Sequence, residues 1–346
     1  MLHFGIDLGG MESQVCVREE SGKIVLETIW PTGSLQELLK EYGPSRVVLE
    51  TCAEAFAVAE RIKVLGHDVR VVPATLVRQL GVGARGIKTD IRDARALSEV
   101  SCRIELPTVH IPKPVSRDIR AVASLRDALV RSRTLLINTV RGWLRTQLIR
   151  VPSGAKQTFA ARVRKKLLER PEGMPVAIER QLVVIEELVK QVRSADEEIR
   201  SIAENDPTCR LLMTAPGVGP LTAVYFMTVV DEVKRFGGAQ AVESYLGLTP
   251  GEHSSSLRQA RTGITKAGSG QVRRVLVQAC WSAWVHADKD PLVEWAQQVA
   301  KRRGPKVAVV AMARKLAGIL YAMWRDGREY DSRLVTSATS SEEAAA

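Results

Sequence analysis

Four acidic side chains in the first hundred residues have the types and spacing of a metal-binding set. Asp7 ends the apolar run 2–7, Glu50 ends a second apolar strand, and Asp90 and Asp93 stand three apart in KTDIRDA. If KTDIRDA opens a helix, positions i and i+3 place both carboxylates on one face. Carboxylate oxygens suit a hard cation such as Mg²⁺, and two such ions about 3.5–4 Å apart hold the attacking and leaving oxygens of a phosphoryl displacement. Each acid alone is better explained as an ordinary strand-end or helix residue, whereas the four together favour a metal-dependent site.

A second set of chemically capable residues follows in the segment 246–276. Three consecutive serines (254–256) are followed by several cations. A serine hydroxyl among cations can attack a phosphodiester while Lys and Arg stabilise the charge that develops. From chemistry alone, a flexible serine-rich loop beside a basic helix is the simpler interpretation. The cations that follow are Arg258, Arg261, Lys266, Arg273 and Arg274.

The stretch APGVGPLTA (215–223) contains a third candidate. Gly217 and Gly219 precede a helical pattern, and backbone N–H groups at such a helix start can bind a phosphate. The stretch resembles the helix-hairpin-helix turn, which holds DNA backbones without reading sequence. A tight turn between two helices is the alternative interpretation.

The elements that must position the four acids form an α/β layout. Strand patterns cover 2–7, 14–18, 23–29, 46–50 and 68–72, and helical patterns cover 35–42, with Ser34 as its N-cap, and 53–65. This order predicts an α/β domain with a mixed sheet.

The rest of the chain is predicted to be helical. Two long amphipathic patterns, 116–148 and 174–202, predict an antiparallel hairpin or coiled coil connected by 151–175. Further helices are predicted at 221–230, 239–246, 271–286 and 306–324, with a long loop at 249–270 and a disordered tail at 336–346. We therefore divide the chain into an α/β domain (1–110), a helical hairpin (111–206), a mostly helical domain (207–332) and a tail (333–346).

Composition limits the classes of protein that the chain can belong to. The 346 residues carry 50 Lys and Arg against 39 Asp and Glu, a net charge of +11, and a 45% hydrophobic fraction that excludes wholesale disorder. We see no stretch that approaches the roughly 20 apolar residues of a membrane span and no signal peptide at the start. The five scattered cysteines favour a reducing compartment, so we expect a cytoplasmic protein without membrane contact.

The positive charge is unevenly distributed. Residues 1–110 carry a net charge of −2, whereas 111–206 carry +7 and 207–346 carry +6. Two basic runs, 113–150 and 162–166, belong to the predicted hairpin and include Arg141, Arg145, Lys165 and Lys166. One such run is commonly a solvated helix face, but two in succession favour a surface that binds phosphates.

Several motifs occur together in one order: GIDLGG, VVLE, KTDIRDA, APGVGPLTA, YLGLTP and HSSS followed by GITKAGSGQVRRVL. They resemble the insertion-sequence transposases that join a RuvC-like DEDD domain, through a coiled coil, to a transposase domain with a catalytic serine. That family includes recombinases guided by a structured bridge RNA and the related pilin-gene invertases. The resemblance covers about residues 3–330, and its specific parts are KTDIRDA and the stretch from GLTP to GITKAG.

The resemblance implies a role for each candidate residue. Asp7, Glu50, Asp90 and Asp93 would form the metal-binding tetrad, with Mg²⁺ held in a partner protomer assisting a serine that forms a covalent phosphoserine with DNA. Counting back from GITKAG assigns the nucleophile to Ser255. Because a third serine replaces the glycine of the family's Ser-Ser-Gly pattern, Ser254 remains an alternative. Donor and target DNA, a structured guide RNA and a dimer or tetramer complete the implied assembly.

Other functions also fit parts of the pattern. GIDLGG resembles the first phosphate loop of actin-like ATPases and sugar kinases, but no clear second loop follows and a basic hairpin has no place in a kinase. A two-metal hydrolytic nuclease resembling a Holliday-junction resolvase would use the acids and leave the serines incidental. A site-specific DNA invertase and a non-catalytic nucleic-acid-binding protein are the remaining alternatives.

Overall fold

The computed structural model describes residues 1–79, 89–168, 170–252 and 261–333. The chain divides into two compact units, Met1–Pro112 (unit 1) and Lys113–Ala346 (unit 2). The predicted tail at 336–346 lies outside the described residues.

Unit 1 is built around a five-stranded mixed sheet. Its strands are β1 (His3–Asp7), β2 (Glu12–Arg18), β3 (Ile24–Pro31), β4 (Arg46–Glu50) and β5 (Asp68–Val72), and its helices are α1 (Leu35–Lys40), α2 (Ala55–Lys63), α3 (Ala74–Gln79) and α4 (Asp90–Arg103). The strand order is β3-β2-β1-β4-β5, with β2 antiparallel to its neighbours and β1, β4 and β5 mutually parallel. The predicted mixed α/β sheet is confirmed.

The two faces of this sheet have different partners because successive side chains on a strand alternate between faces. Phe4 and Ile6 of β1 are fully buried in a core shared with α1 and α2. His3, Gly5 and Asp7 therefore face the other side, against which α4 packs. The central strand thus turns its apolar residues to one layer and its polar residues to α4.

Unit 2 begins with two long helices that pack along each other, α5 (Pro114–Thr146) and α7 (Val176–Asn205). A short helix, α6 (Phe159–Leu167), occupies the predicted connection and closes a core at the far end of the pair. The predicted antiparallel helical pair is confirmed, and α6 is an additional helix that the sequence pattern did not predict.

The remainder of unit 2 is an all-helical core with one two-stranded ribbon. Its elements are α8 (Pro207–Leu212), α9 (Pro220–Val230), α10 (Ala239–Tyr245), β6 (Pro250–Glu252), β7 (Arg261–Ile264), α11 (Gly270–His286), α12 (Pro291–Arg303) and α13 (Pro305–Asp326). The near ends of α5 and α7 share this core, where Ala123 and Ile199 are buried. The hairpin and the C-terminal helices therefore pack into one unit.

Two local predictions need correction. Ser34 does precede α1, but its hydroxyl donates to the carbonyl of Pro31 and does not accept a capping bond from the helix. The predicted loop at 249–270 contains β6 and β7, which pair antiparallel with Pro250 opposite Ile264. The ribbon went unrecognised because its strands are only three and four residues long.

The expectation that no segment approaches a membrane span is wrong for α13 by length and composition. Among the helices in the described part of the chain, α13 alone is long and apolar enough to cross a membrane, yet 61% of its most apolar window is buried inside the protein. Leu316 and Leu320, for example, are fully buried in the core of unit 2. This burial is consistent with a soluble protein, in which α13 is a core helix.

Candidate active site and nucleic-acid surfaces

Two of the predicted metal ligands lie side by side at one edge of the sheet. β1 and β4 run parallel with Ile6 opposite Leu49, so Asp7 and Glu50 occupy the next position on each strand. Neighbouring strands are about 4.8 Å apart, and the carboxyl ends of parallel strands share one edge. Both side chains are half-buried at that edge.

Strand alternation also determines which face these two acids share. Asp7 lies two residues beyond Gly5, which packs directly against α4. Glu50 lies two residues beyond Val48, which is buried in a cluster with Leu97 of α4. Positions i and i+2 of a strand share a face, so both carboxylates lie on the α4 side of the sheet.

Helix α4 runs antiparallel to β1, which brings its first turn to the same edge. His3 lies within 2.8 Å of the hydroxyl of Ser101, measured from Nδ1 to Oγ, near the end of α4. Gly5, further along the strand, lies against Ala94. A strand advances about twice as far per residue as a helix, so the position of Asp7 corresponds to the first turn of α4. That turn carries the remaining two acids of the predicted tetrad.

The two acids of α4 differ in their surroundings. Asp90 is the first residue of the helix and is exposed, whereas Asp93 is fully buried. Asp and Glu are almost never fully buried unless they are paired. The helix N-terminus favours negative charge in this turn, which lowers the cost of holding two carboxylates there. The burial of Asp93 therefore sets it apart from an ordinary residue of a solvated helix face.

The side chains of the predicted tetrad are chemically suited to binding a divalent cation. All four donors are carboxylates, the oxygen ligands that hard divalent ions take. Within the described ranges, however, no three His, Cys, Asp or Glu side chains are close enough together to hold a metal ion. The fold thus places Asp7 and Glu50 at one edge of the sheet beside the first turn of α4, and the described residues do not form a closed ion-binding group.

Gly5 is the contact that allows α4 to lie this close to the sheet. A Cβ on Gly5 would stand 2.2 Å from the carbonyl oxygen of Ala94 and 2.3 Å from the backbone nitrogen of Ser98. Both obstacles are backbone atoms, so the helix itself would have to move. We expect Gly5→Ala to destabilise unit 1 by about 1–3 kcal/mol and to lower its melting temperature, measured by thermal unfolding. Gly10→Ala is the matched control because its Cβ would meet nothing within 4 Å, and equal melting temperatures for both variants would contradict this packing.

The serine candidates belong to the connection between β6 and β7. Ser254, Ser255 and Arg258 lie outside the described residues, so their roles stay predictions. The register on either side is defined, because Glu252 pairs with Arg261.

The cations that follow the serines divide into exposed and anchored residues. Lys266 is exposed with a φ of 58°, and Arg261 opens β7 with a side chain outside the described set. Arg273 donates from Nη1 to the carbonyl oxygens of Leu246 at 3.0 Å and Gly268 at 3.3 Å, as well as to that of Ala267. The guanidinium of Arg273 thus ties the segment before α11 to the end of α10, and its predicted phosphate contact stays a prediction.

Arg274 is also anchored within the protein. It forms an ion pair with Asp127 of α5, a carboxylate that is only 3% exposed. The hydroxyl of Tyr225 donates to the same carboxylate at 2.8 Å, and burial together with this bond raises the pKa of Tyr225. Arg274 therefore neutralises a buried charge that joins α5, α9 and α11, and any phosphate contact would be an additional role.

The glycine turn is explained in part by packing. Gly217 has a φ of +74°, and a Cβ there would stand 2.1 Å from the carbonyl oxygen of Ala279 in α11. The tight-turn interpretation is sufficient for Gly217. Gly219 is the N-cap residue of α9, with Pro220 at the first helical position. The proposed phosphate contact at this turn stays a prediction.

The cations at the far end of the hairpin lie mostly at the surface. Arg141 and Arg145 are exposed, and the guanidinium of Arg141 lies 5.4 Å from the ring centroid of Phe159. Lys165 and Lys166 are exposed on α6.

Arg164 of the same basic run has a different role. It pairs with Glu179 at 2.7 Å and with Glu186, and these bonds raise the pKa of Arg164 and lower that of Glu186. Arg164 thus fastens α6 to α7 within the run 162–166.

One cationic cluster was not among the predicted binding residues. Lys301, Arg302, Arg303 and Lys306 are all exposed around the turn between α12 and α13. The run KRRGPK was itself the available signal, since four cations stand within six residues with no acid among them. We call these four residues the α12–α13 cluster.

Two family models match parts of this chain. Residues 4–148 match the DEDD transposase model of the IS110 type, and residues 209–304 match the model described as transposase, IS116/IS110/IS902 family. The class of protein is therefore an insertion-sequence transposase with a DEDD domain. More particularly, the chain belongs to the IS110/IS116/IS902 family, which confirms that part of the resemblance.

Curated relatives are similar over nearly their whole length. A transposase for insertion sequence element IS1328 of Yersinia enterocolitica is 29% identical, over 93% of this chain and 96% of the relative. A transposase for insertion sequence element IS1111A of Coxiella burnetii is 27% identical, over 92% and 88% respectively. A probable family 20 transposase of Pseudomonas aeruginosa is 26% identical, over 92% and 95%. Membership of this family indicates a DNA recombinase, and its DEDD domain suggests a divalent metal ion.

Proposed function

We propose that this transposase cuts and rejoins DNA through a covalent phosphoserine intermediate, with a Mg²⁺-dependent RuvC-like site and a structured bridge RNA that selects the DNA. The observation that supports the metal-dependent site is the position of Asp7 and Glu50 on adjacent parallel strands, beside the first turn of α4. That turn holds Asp90 and the fully buried Asp93. The strand order around these acids is consistent with a RuvC-like domain.

The role of the chain at this site is to supply the carboxylates that would bind a divalent metal ion. Asp7, Glu50, Asp90 and Asp93 are the residues that would hold Mg²⁺. A divalent ion bound there supplies stabilisation of the negative charge that builds on the phosphodiester oxygens. Two ligands on strand ends and two on a packed helix turn are held more rigidly than ligands on loops would be.

The phosphoserine intermediate retains the bond energy of the cleaved phosphodiester, which is then available for rejoining. The Oγ of Ser255 forms a bond to phosphorus as the bond to the leaving deoxyribose oxygen breaks, the serine proton is lost to a base, and the leaving oxygen gains a proton. A hydroxyl from another DNA strand then displaces the serine and restores a phosphodiester, so joining needs no external energy source. Ser254 is the alternative nucleophile.

Strand exchange between two duplexes requires four cleavages, which favours a dimer or tetramer. In the proposed complex, the basic segments 113–150, 162–166 and 258–274 hold the DNA and RNA backbones, together with the α12–α13 cluster. Base pairing with the RNA then selects the donor and target DNA.

The RNA part of the proposal has a direct experiment. The protein is purified under native conditions, and the nucleic acid that stays bound is sequenced. We expect a single abundant structured RNA encoded beside the gene. A random sample of cellular RNA would contradict guidance by RNA, while leaving the cleavage chemistry open to the tests in the Discussion.

The α12–α13 cluster provides a test of how DNA is held. We expect replacement of Lys301, Arg302, Arg303 and Lys306 by Ala to weaken binding of duplex DNA and to lower the slope of log K against log salt. The slope falls by about 0.9 for each phosphate that the protein no longer neutralises, which gives about 3–4 for the cluster. Fluorescence anisotropy over a series of salt concentrations measures both quantities.

The matched control removes four exposed cations from unit 1, namely Lys23, Lys40, Arg61 and Lys63. It changes the net charge by the same amount at a different place. An equal loss of affinity in both variants would contradict a localised contact and assign the effect to net charge.

A further inference from the structure

The end of α5 forms one wall of a cavity of about 730 Å³ in unit 2. Arg141, Arg145 and Arg150 line it, and all three are exposed. The remaining lining residues are apolar except for one serine, and none is acidic. The lining of the cavity thus combines three arginines with apolar side chains.

The helix end that lines this cavity is unusual. The N–H of Ile149 donates to the carbonyl of Leu144 at 2.9 Å, and the N–H of Leu148 donates to that of Arg145 at 3.0 Å. These two bonds define a Schellman motif, in which the residue at the position of Leu148 adopts a left-handed conformation and is usually glycine. Leu148 has a φ of 55°, in the region that leucine disfavours.

The side chain of Leu148 contributes little packing that would offset this backbone strain. It is 92% exposed, the highest value among the exposed large apolar side chains of the described residues. A glycine would relieve the backbone strain and remove the exposed apolar surface. A leucine in this position therefore lowers stability at a site where it lines a cavity with three arginines, which points to a binding role.

The chemistry of the cavity matches one kind of ligand. A nucleotide carries an anionic phosphate beside a flat base whose faces are apolar. Arginine pairs well with phosphate oxygens, and apolar or aromatic surfaces take up unstacked bases. In duplex nucleic acid the bases are stacked inside, so only a single-stranded or extruded nucleotide offers both groups.

We infer that this cavity binds one unstacked nucleotide of a single-stranded segment. Its base lies against Leu148 and the apolar wall, and its phosphate lies on Arg141, Arg145 and Arg150. The inference rests on the proposed function in one respect, since strand exchange and RNA guidance are what present single strands to the protein. It extends that function by separating a single-strand contact from the backbone contacts that hold duplex DNA.

The decisive variant is Leu148→Gly, which keeps the backbone conformation and removes the side chain. Full-length protein freed of nucleic acid is titrated by fluorescence anisotropy with a single-stranded oligonucleotide and with its duplex. We expect affinity for the single strand to fall about tenfold, with affinity for the duplex unchanged. The melting temperature should stay equal or rise, because glycine is the favoured residue at this position. A loss of binding in an equally stable protein excludes misfolding as the cause.

Two further variants sharpen the test. Arg150→Ala should weaken single-strand binding and lower the salt slope by about 0.7, the value for one phosphate contact on a single strand. Leu135→Ala, at a leucine of α5 that is 67% exposed and does not line the cavity, should change neither measurement. Unchanged single-strand affinity in Leu148→Gly would overturn the inference, as would an equal loss in Leu135→Ala.

The titration is run with RNA and DNA of one sequence. A loss of affinity confined to one of them supports the cavity and assigns it to that nucleic acid, and a loss with both supports contacts common to the two. None of these results depends on Ser255 or on the acidic tetrad. A negative result in this titration would therefore not contradict the proposed cleavage chemistry. A negative result for that chemistry would likewise not contradict nucleotide binding in this cavity.

Discussion

Asp7→Asn is expected to lower the rate of DNA strand cleavage by about a hundred- to a thousandfold while the protein stays folded. The asparagine keeps the size of the side chain at the end of β1 and removes one negative charge beside Glu50. A carboxylate is a far better ligand for a divalent ion than an amide, and loss of one preorganised stabilising group costs a factor of this order. Single-turnover cleavage of DNA carrying an end of the element, with the co-purifying RNA kept bound, measures the rate.

The control for this variant is Glu99→Gln, which removes one negative charge from α4 near its other end. Glu99 forms an ion pair with Arg103 at the surface, and surface pairs of this kind contribute little to stability. Its cleavage rate should stay close to that of the unmodified protein, and both variants should unfold at similar temperatures. A cleavage rate for Asp7→Asn within about threefold of normal would contradict a catalytic role for the acidic edge.

Ser255→Ala is expected to abolish the covalent protein–DNA product and to leave nucleic-acid binding intact. The alanine removes the Oγ that would bond to phosphorus, and no other atom of that side chain can replace it. Ser254→Ala should retain the product, because the spacing back from GITKAG assigns the nucleophile to Ser255. A denaturing gel with labelled DNA measures the product, and anisotropy under native conditions measures binding.

The reverse pattern would revise only the position of the nucleophile. If Ser254→Ala abolished the product and Ser255→Ala retained it, the serine would be displaced by one residue toward β6. If both variants retained full recombination, the serine chemistry would be wrong altogether. A third pattern, loss of binding in Ser255→Ala, would assign that residue to holding DNA.

Much of unit 1 followed from local sequence pattern. The strand 46–50 was predicted with its observed bounds, because a run of apolar residues between a turn and a helix has few other interpretations. The placement of Asp90 and Asp93 on one face was conditional on KTDIRDA opening a helix, and α4 does begin at Asp90. The shared edge of Asp7 and Glu50 then required only that β1 and β4 be parallel neighbours.

What the sequence alone did not provide were contacts between distant segments. The close approach of α4 at Gly5 depends on backbone atoms some ninety residues away, and a glycine within a strand can equally mark a bulge or a bend. The anchoring of Arg274 by Asp127 likewise joins residues far apart in the chain. The position of a cation in a basic run therefore does not show whether its side chain forms a structural ion pair or contacts a phosphate.

Some missed elements did carry a readable local signal. Helices α8 and α12 each begin with an Asp-Pro pair, and the carboxylates of Asp206 and Asp290 accept bonds from the backbone N–H groups of Cys209 and Leu292. Asp at the N-cap with Pro at the first helical position is a favoured helix start. The exposed Leu148 had no such signal, because only the backbone conformation shows that a leucine occupies a glycine position.

The most direct test of the proposed chemistry is peptide mapping of the covalent product by mass spectrometry. DNA carrying an element end is incubated with the RNA-loaded protein, denatured and digested with nuclease and protease, and the peptide that retains a nucleotide is sequenced. We expect one modified peptide from the connection between β6 and β7, with the nucleotide on Ser255, and none from Asp7→Asn. Cleaved DNA with free ends and no modified peptide would contradict the phosphoserine intermediate and identify the protein as a hydrolytic nuclease.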